Sequence, residues 1–262
     1  DLFARIEAMS ATTVAAVGGP VPGGALELSL CCDAIVATDD KATRIGLPET
    51  MLGIVPGWGG SHRLPWRVGV PTALDAILTG RLYPAKKAKK LGIVDRLTKA
   101  DYLARVAADL AMGRERIKRR KRGNKLWLVD RNPLATAVIR RTATKQVDRK
   151  ARGKYPAPYR ALDLVLDAPG KDVADAKSAE AAAVAELAVG PVAKSLISIF
   201  FASEAAKKLG AMPDGSKAPK VDHAAVVGGG VMGGGIASLF ANKRVETRLC
   251  DLDRGALYAA TI

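Results

Sequence analysis

Two places in the sequence hold side chains whose types and spacing could do chemistry. The first surrounds Glu27, in the run GGALELSLCC (residues 23–32), with a second carboxylate, Glu49, in GLPETMLGIVPGWGG (46–60). The neighbours of Glu27 are nearly all apolar, and a carboxylate in such a helix is either paired or functional. Glu49 follows Leu47-Pro48, in a loop or at a helix start. Gly23-Gly24 leads into the helix that carries Glu27. Backbone N–H groups at a helix N-terminus carry partial positive charge, and without a side chain at Gly24 an oxygen can approach closely. That geometry suits a developing oxyanion; a tight turn entering a helix is the plainer alternative.

The second place is a glycine run. Gly228, Gly230 and Gly233 fit G-x-G-x-x-G between a strand and a helix, and Asp251 follows 23 residues after Gly228, at the end of the next strand. Such a turn leaves room for a pyrophosphate at the helix N-terminus, and the acid can bind ribose hydroxyls. With both strands, the helix and the acid in register, the pattern points to a dinucleotide, and an aspartate favours NAD over NADP. A glycine-rich linker is the plainer alternative.

The elements that position these groups follow from periodicity. Residues 2–9 have helical spacing, Thr12 to Val17 read as a strand, Ala25 to Cys32 as an apolar helix and Asp33 to Thr38 as a buried strand. Residues 46–60 form a glycine- and proline-rich passage. Thr72 to Leu78 and a segment from Pro84 to Gly92 read as helices, Ile93 to Leu97 as a strand, and 100–112 as an amphipathic helix. From Arg114 to about Tyr159 the pattern predicts a helical connector with solvated faces. Residues 173–189 and Val192 to Leu209 are two further helices, parted by Gly190-Pro191. From His223 the pattern resets to strand, glycine loop, helix, strand, the start of a βαβ unit, with Cys250 as a buried strand residue.

Composition limits what this can be. The 262 residues are 48% hydrophobic, enough for a real core. The formal charge of +15 is uneven: Arg81 to Lys154 holds 24 Lys+Arg and 6 Asp+Glu, and the remainder 17 and 20. RERIKRRKRGNK (114–125) could be a nucleic-acid-binding stripe, yet Trp127 is its one neighbouring aromatic and no recognition motif surrounds it. A solvated basic connector, or a patch attracting anionic substrates, accounts for it better. Three cysteines form no disulfide framework, which reads as a reducing, cytoplasmic setting. Two distant histidines argue against a metal site, and no apolar run reaches the length of a membrane span. His62 reads as structural and His223 as a surface residue; Trp58 either packs, the favoured reading, or lines a pocket. The start DLFARIEAMS lacks an initiating Met and the end stops in a helix just begun, so the chain reads as an internal fragment.

The passage GGPVPGGALELSLCCDAIVATDDKATRIGLPETMLGIVPGWGGSHRLPWRVGVPTALDAILTGR (18–81) resembles the crotonase (enoyl-CoA hydratase/isomerase) superfamily over about residues 1–112. The resemblance implies that Glu27 and Glu49 are catalytic carboxylates and that Gly24 supplies an oxyanion-hole N–H to a CoA thioester carbonyl. Adding water across a 2,3-enoyl thioester needs an activated water and a proton at C2, which two carboxylates can supply. Glu27 would activate water and Glu49 deliver the proton; the same pair could shuttle a proton between C2 and C4 as an isomerase. Ala25 stands where the family has a third glycine, Pro20 and Pro22 are unusual, and the family's first half, with its other oxyanion N–H, is missing.

The string VVGGGVMGGGIASLFANKRVETRLCDLD is similar to the start of 3-hydroxyacyl-CoA dehydrogenases. With GKYPAPYRALDLV and SLISIFFASEAAKK between them, the order resembles the α-subunit family of the bacterial fatty-acid β-oxidation multienzyme. The expected fold class is α/β: the C-terminal half of a crotonase-type spiral over 1–112, a helical connector over 113–220, and the first βαβ unit of a Rossmann domain over 221–262. The resemblance implies enoyl-CoA hydration, NAD-dependent oxidation, acyl-CoA substrates and a thiolase partner subunit. The isolated chain is expected to be inactive and poorly soluble.

Overall fold

The computed structural model describes residues 2–117, 130, 132–209 and 219–260. The chain divides into two compact units, Asp1–Ala202 and Ser203–Ile262.

The first unit opens with helix α1 (Leu2–Glu7), then strand β1 (Val14–Val17), strand β2 (Val21–Pro22), helix α2 (Gly24–Leu30), strand β3 (Ala34–Thr38) and strand β4 (Arg44–Gly46). A 3-10 turn (Glu49–Leu52) leads to helices α3 (Gly60–Val68) and α4 (Val70–Thr79), strand β5 (Tyr83–Pro84), helix α5 (Ala85–Leu91), strand β6 (Arg96–Thr98) and helix α6 (Leu103–Ala111). Four more helices follow: α7 (Pro133–Ala151), α8 (Pro156–Asp167), α9 (Val173–Ala188) and α10 (Pro191–Leu209).

Two small sheets organise this unit. One is parallel, in the order β1-β3-β6, with Val14 opposite Ala34 and Val36 opposite Arg96. All five residues of β3 are buried, as expected of a central parallel strand covered on both faces. The other sheet pairs β2 with β4 in parallel and β4 with β5 antiparallel. β2 lies in the Gly/Pro run GGPVPGG, whose composition favours a loop; Pro22 cannot donate to a ladder and is tolerated on a two-residue edge strand.

Helix α3 was missed for a related reason. Pro65 lies inside it and removes a backbone donor. Packing overrides that cost: Leu64 is fully buried and Val68 nearly so, in one core with Leu26 of α2 and Val165 of α8. Truncating such a side chain (Leu64→Ala) removes about 2–5 kcal/mol.

The first unit runs past residue 112 and takes in helices from the segment read as a connector. Their faces are not all solvated, contrary to expectation. Ala143, Val147 and Ala151 of α7 are buried, and so are Ala157, Ala161, Leu162, Val165 and Leu166 of α8. The spacing of the α8 set is helical, so one stripe enters the core while the opposite face keeps its charges. Asn132 caps α7, accepting from the N–H groups of Leu134 and Ala135, and Asp172 caps α9 through Ala174. Of the basic run 114–125, residues 118–125 lie outside the described residues.

In the second unit, strand β7 (His223–Val227), helix α11 (Val231–Asn242), strand β8 (Glu246–Cys250) and helix α12 (Arg254–Ala260) form a βαβα unit. β7 and β8 are parallel, with His223 opposite Glu246 and Val227 opposite Cys250. Cys250 is exposed rather than buried: it ends an alternating strand on a face that nothing covers among the described residues.

A buried carboxylate cavity and an open glycine turn

Gly23 begins the first site. Its φ of 58° is left-handed, and its N–H donates to the Gly46 carbonyl at 2.9 Å, tying the start of α2 to β4. Glu27 then falls in the first turn of α2 and is 1% exposed. One of its oxygens, Oε1, accepts the backbone N–H groups of Trp58 and Gly60, each at 2.8 Å. Those donors belong to the turn that enters α3, so Glu27 also sits at a helix N-terminus, where a negative charge is favoured. Gly60 is needed there: an added Cβ would lie 2.9 Å from the Pro56 side chain and 3.0 Å from Glu27 Oε1.

Glu49 opens the 3-10 turn and is buried, but neither of its carboxyl oxygens has a hydrogen-bond partner among the described residues. Burial pushes its carboxyl up to about 7, and the charges of Glu27 and Glu180 add to the shift. Glu27 is also raised by burial, but the N–H groups of Gly60, Trp58 and Gly57 and the nearby Arg63 pull it back. Two carboxyl groups thus sit in one site in different environments, one held by N–H donors and one not. This is how a fold separates a base from an acid.

Glu27, Glu49 and Gly24 all line one cavity of about 630 Å³, whose walls are mostly apolar. The structure therefore brings together the three residues singled out from sequence in this region. Gly24 has no room for a side chain, since a Cβ would stand 2.2 Å from the Trp58 ring. Trp58, for which the sequence leaves packing and pocket-lining open with packing favoured, does both: it lines the cavity, 64% exposed, while its ring meets Phe3 edge-on at 5.9 Å. His62 is buried, and burial pushes its imidazole down to about 4, so it is neutral near pH 7.

Sequence reasoning missed Glu180. This α9 residue is 1% exposed and reaches the same turn: its carboxylate accepts from the N–H groups of Gly59 and Ser61 and from the Ser61 hydroxyl. The signal was present, because EAAAVAELA (180–188) sets a carboxylate among alanines much as ALELSL does around Glu27. Val184 of α9 and Phe200 of α10 line the cavity too.

The second site is a turn of short contacts. Gly228 has φ 100° and its N–H donates to the Cys250 carbonyl at 2.7 Å, joining β7 to β8. Gly230 caps α11 and faces open space. Gly233 passes so close to the preceding turn that a Cβ would fall 1.6 Å from the Gly228 carbonyl oxygen. Asp251 closes the arrangement, accepting from the N–H groups of Gly229 and Asp253, which hold its carboxyl below its ordinary value. All four residues picked from sequence are thus in one turn. Open space above Gly228 and Gly230, at a helix N-terminus beside an acid, fits a dinucleotide. His223 lies on the surface, 3.3 Å from Glu246.

The family of enoyl-CoA hydratases/isomerases matches residues 1–119, and the NAD binding domain of 3-hydroxyacyl-CoA dehydrogenases matches residues 223–261. The fatty acid oxidation complex subunit alpha of Aliivibrio fischeri is 43% identical over 99% of this chain. Along nearly its whole length the chain is similar to fatty acid oxidation complex α-subunits. The subunit alpha of Shewanella baltica strain OS185 is 38% identical over 98% of the chain. The chain spans 37% of the length of the first relative and 36% of the second. Among solved structures, an enoyl-CoA hydratase from Mycobacterium avium subsp. paratuberculosis aligns with a TM-score of 0.51 at 21% identity, covering 76% of this chain and 66% of that one. That likeness shows the crotonase fold. The chain thus joins a segment of the enoyl-CoA hydratase/isomerase type to one that matches an NAD binding domain. Among the described residues no single helix is long and apolar enough to cross a membrane, and no group of His, Cys, Asp or Glu could hold a metal ion.

Proposed function

We propose that the protein carrying this chain hydrates 2-enoyl-CoA thioesters to 3-hydroxyacyl-CoA and then oxidises the product with NAD. The observation that carries the first half is the unequal pair in one cavity: Glu27 held by two N–H groups, Glu49 buried with no hydrogen-bond partner for its carboxyl among the described residues. Glu27 takes a proton from a water as its oxygen bonds to C3. Electron density moves into the thioester carbonyl, whose oxygen is met by the Gly24 N–H. Glu49, whose carboxyl burial holds up to about 7, gives its proton to C2 from its protonated form. Return of the proton from Glu27 to Glu49 resets the site. The apolar walls exclude competing water and receive the acyl chain.

In the second unit NAD supplies the hydride acceptor. The N–H end of α11 at Gly230 would face its pyrophosphate, and Asp251 its adenosine ribose. Acyl-CoA substrates, a thiolase partner that takes up the 3-ketoacyl product, and a cytoplasmic setting complete the proposal.

The test uses the full-length protein and crotonyl-CoA. Hydration is followed by loss of the enoyl-thioester absorbance, and NADH formation by its own. Hydration that survives unchanged in both Glu27→Gln and Glu49→Gln would overturn the assignment.

A further inference from the structure

Four successive N–H groups line the turn into α3, and they alternate between two carboxylates. Trp58 and Gly60 donate to Glu27; Gly59 and Ser61 donate to Glu180. The alternation depends on Gly59, whose φ of 107° lets consecutive N–H groups face opposite ways. The backbone between the two acids is short and shared, so neither set of hydrogen bonds can shift without moving the other.

The same pair of helices braces the turns around both glutamates. A Cβ at Gly57 would lie 3.0 Å from Val184 of α9, and one at Gly53, which ends the Glu49 turn, 3.0 Å from Ala193 of α10. Helices outside the region that matches the hydratase family therefore press on both sides of the cavity.

We propose that Glu180 is a positioning residue for the hydratase site: through Gly59 and Ser61 it sets the Trp58 and Gly60 N–H groups against Glu27. The proposal rests on the hydratase reading above. Glu180 is not among the residues that line the cavity; it acts through the turn. A glutamine there cannot replace it, because its amide has one acceptor oxygen for a cluster of donors and its NH2 would face another N–H. The buried donors left unpaired would re-aim the turn.

The test compares Glu180→Gln, Ser61→Ala and Glu27→Gln, singly and combined, in the full-length protein. Glu180→Gln is expected to lower kcat for crotonyl-CoA hydration roughly 10- to 100-fold with KM within about twofold, the size of effect a small misplacement of a reacting group produces. Ser61→Ala, which removes only the hydroxyl donor, falls between it and the wild type. In the Glu27→Gln background, adding Glu180→Gln changes kcat little further, because the two residues act as one unit. A wild-type kcat in Glu180→Gln overturns the proposal. So does a loss that multiplies fully with that of Glu27→Gln, or one that follows a fall in Tm in the same proportion in Glu180→Gln and in a core variant away from the cavity such as Val147→Ala of α7. No hydration by the wild-type protein would sink the hydratase reading and this inference together; hydration by the wild type with an unaffected Glu180→Gln would sink this inference alone.

Discussion

The two units treat their acids in opposite ways. In the first, Glu27, Glu49 and Glu180 are buried together, and burial raises all three carboxyls. In the second, Asp251 is solvated and backbone N–H groups lower its carboxyl. The first arrangement is costly and needs a surrounding core; the second needs only a turn. A proton-transfer site is built from groups whose charge is held in doubt, a nucleotide site from groups whose charge is assured.

The largest expected effect separates the two halves outright. Glu49→Gln removes the proposed proton donor and should lower hydration by about 10²- to 10⁴-fold, while NAD binding, followed by fluorescence quenching, stays at the wild-type value. A loss of both would mean that the halves are not independent.

The next test exploits two glycines with no room for a Cβ. Gly24→Ala drives a methyl into the Trp58 ring, and Gly233→Ala drives one into the Gly228 carbonyl. The first should cut hydration more than about 10-fold and spare NAD affinity; the second should do the reverse.

The pH response sharpens the contrast. Glu49 has a folded value of about 7, above its ordinary value of 4.5, so the folded state binds the extra proton. Its contribution to stability is fully present below about pH 4.5 and is lost as pH rises through about 7. Glu49→Gln should therefore raise stability at pH 8 relative to pH 4, on the order of 1 kcal/mol, read from urea unfolding at the two pH values. The same proton should give hydration a kcat/KM that falls above about pH 7. Asp251 predicts the opposite sign, since its lowered value gives stability that is lost as pH falls.

The smallest effect is expected at Asp251 itself. Asp251→Asn keeps an acceptor for one of the two N–H groups, so the turn persists, and NAD affinity should fall roughly 10-fold. An unchanged affinity would remove the ribose contact from the proposal.

Much of this was legible in the residues. The lone carboxylate in an apolar helix marked Glu27, and the spacing of Gly228, Gly230, Gly233 and Asp251 marked the whole nucleotide turn. Local signals suffice where the feature is local: each contact of that turn lies within one strand–helix–strand passage. Helix α3 was hidden by Pro65 because burial of Leu64 and Val68 outweighs a missing N–H, and burial is not a local property. The inner stripe of α8 was hidden by the charged residues around it.

By itself, the sequence determined which residues could do chemistry, the order of the two catalytic types and the backbone freedom their turns require. Composition and short-range spacing encode those. Only the tertiary structure decided that Glu49 is buried without a hydrogen-bond partner for its carboxyl among the described residues, and that an acid 153 residues beyond Glu27, Glu180, grips the other side of the same turn. Desolvation and long-range hydrogen bonds depend on what the folded chain brings near, and no window of sequence contains both partners.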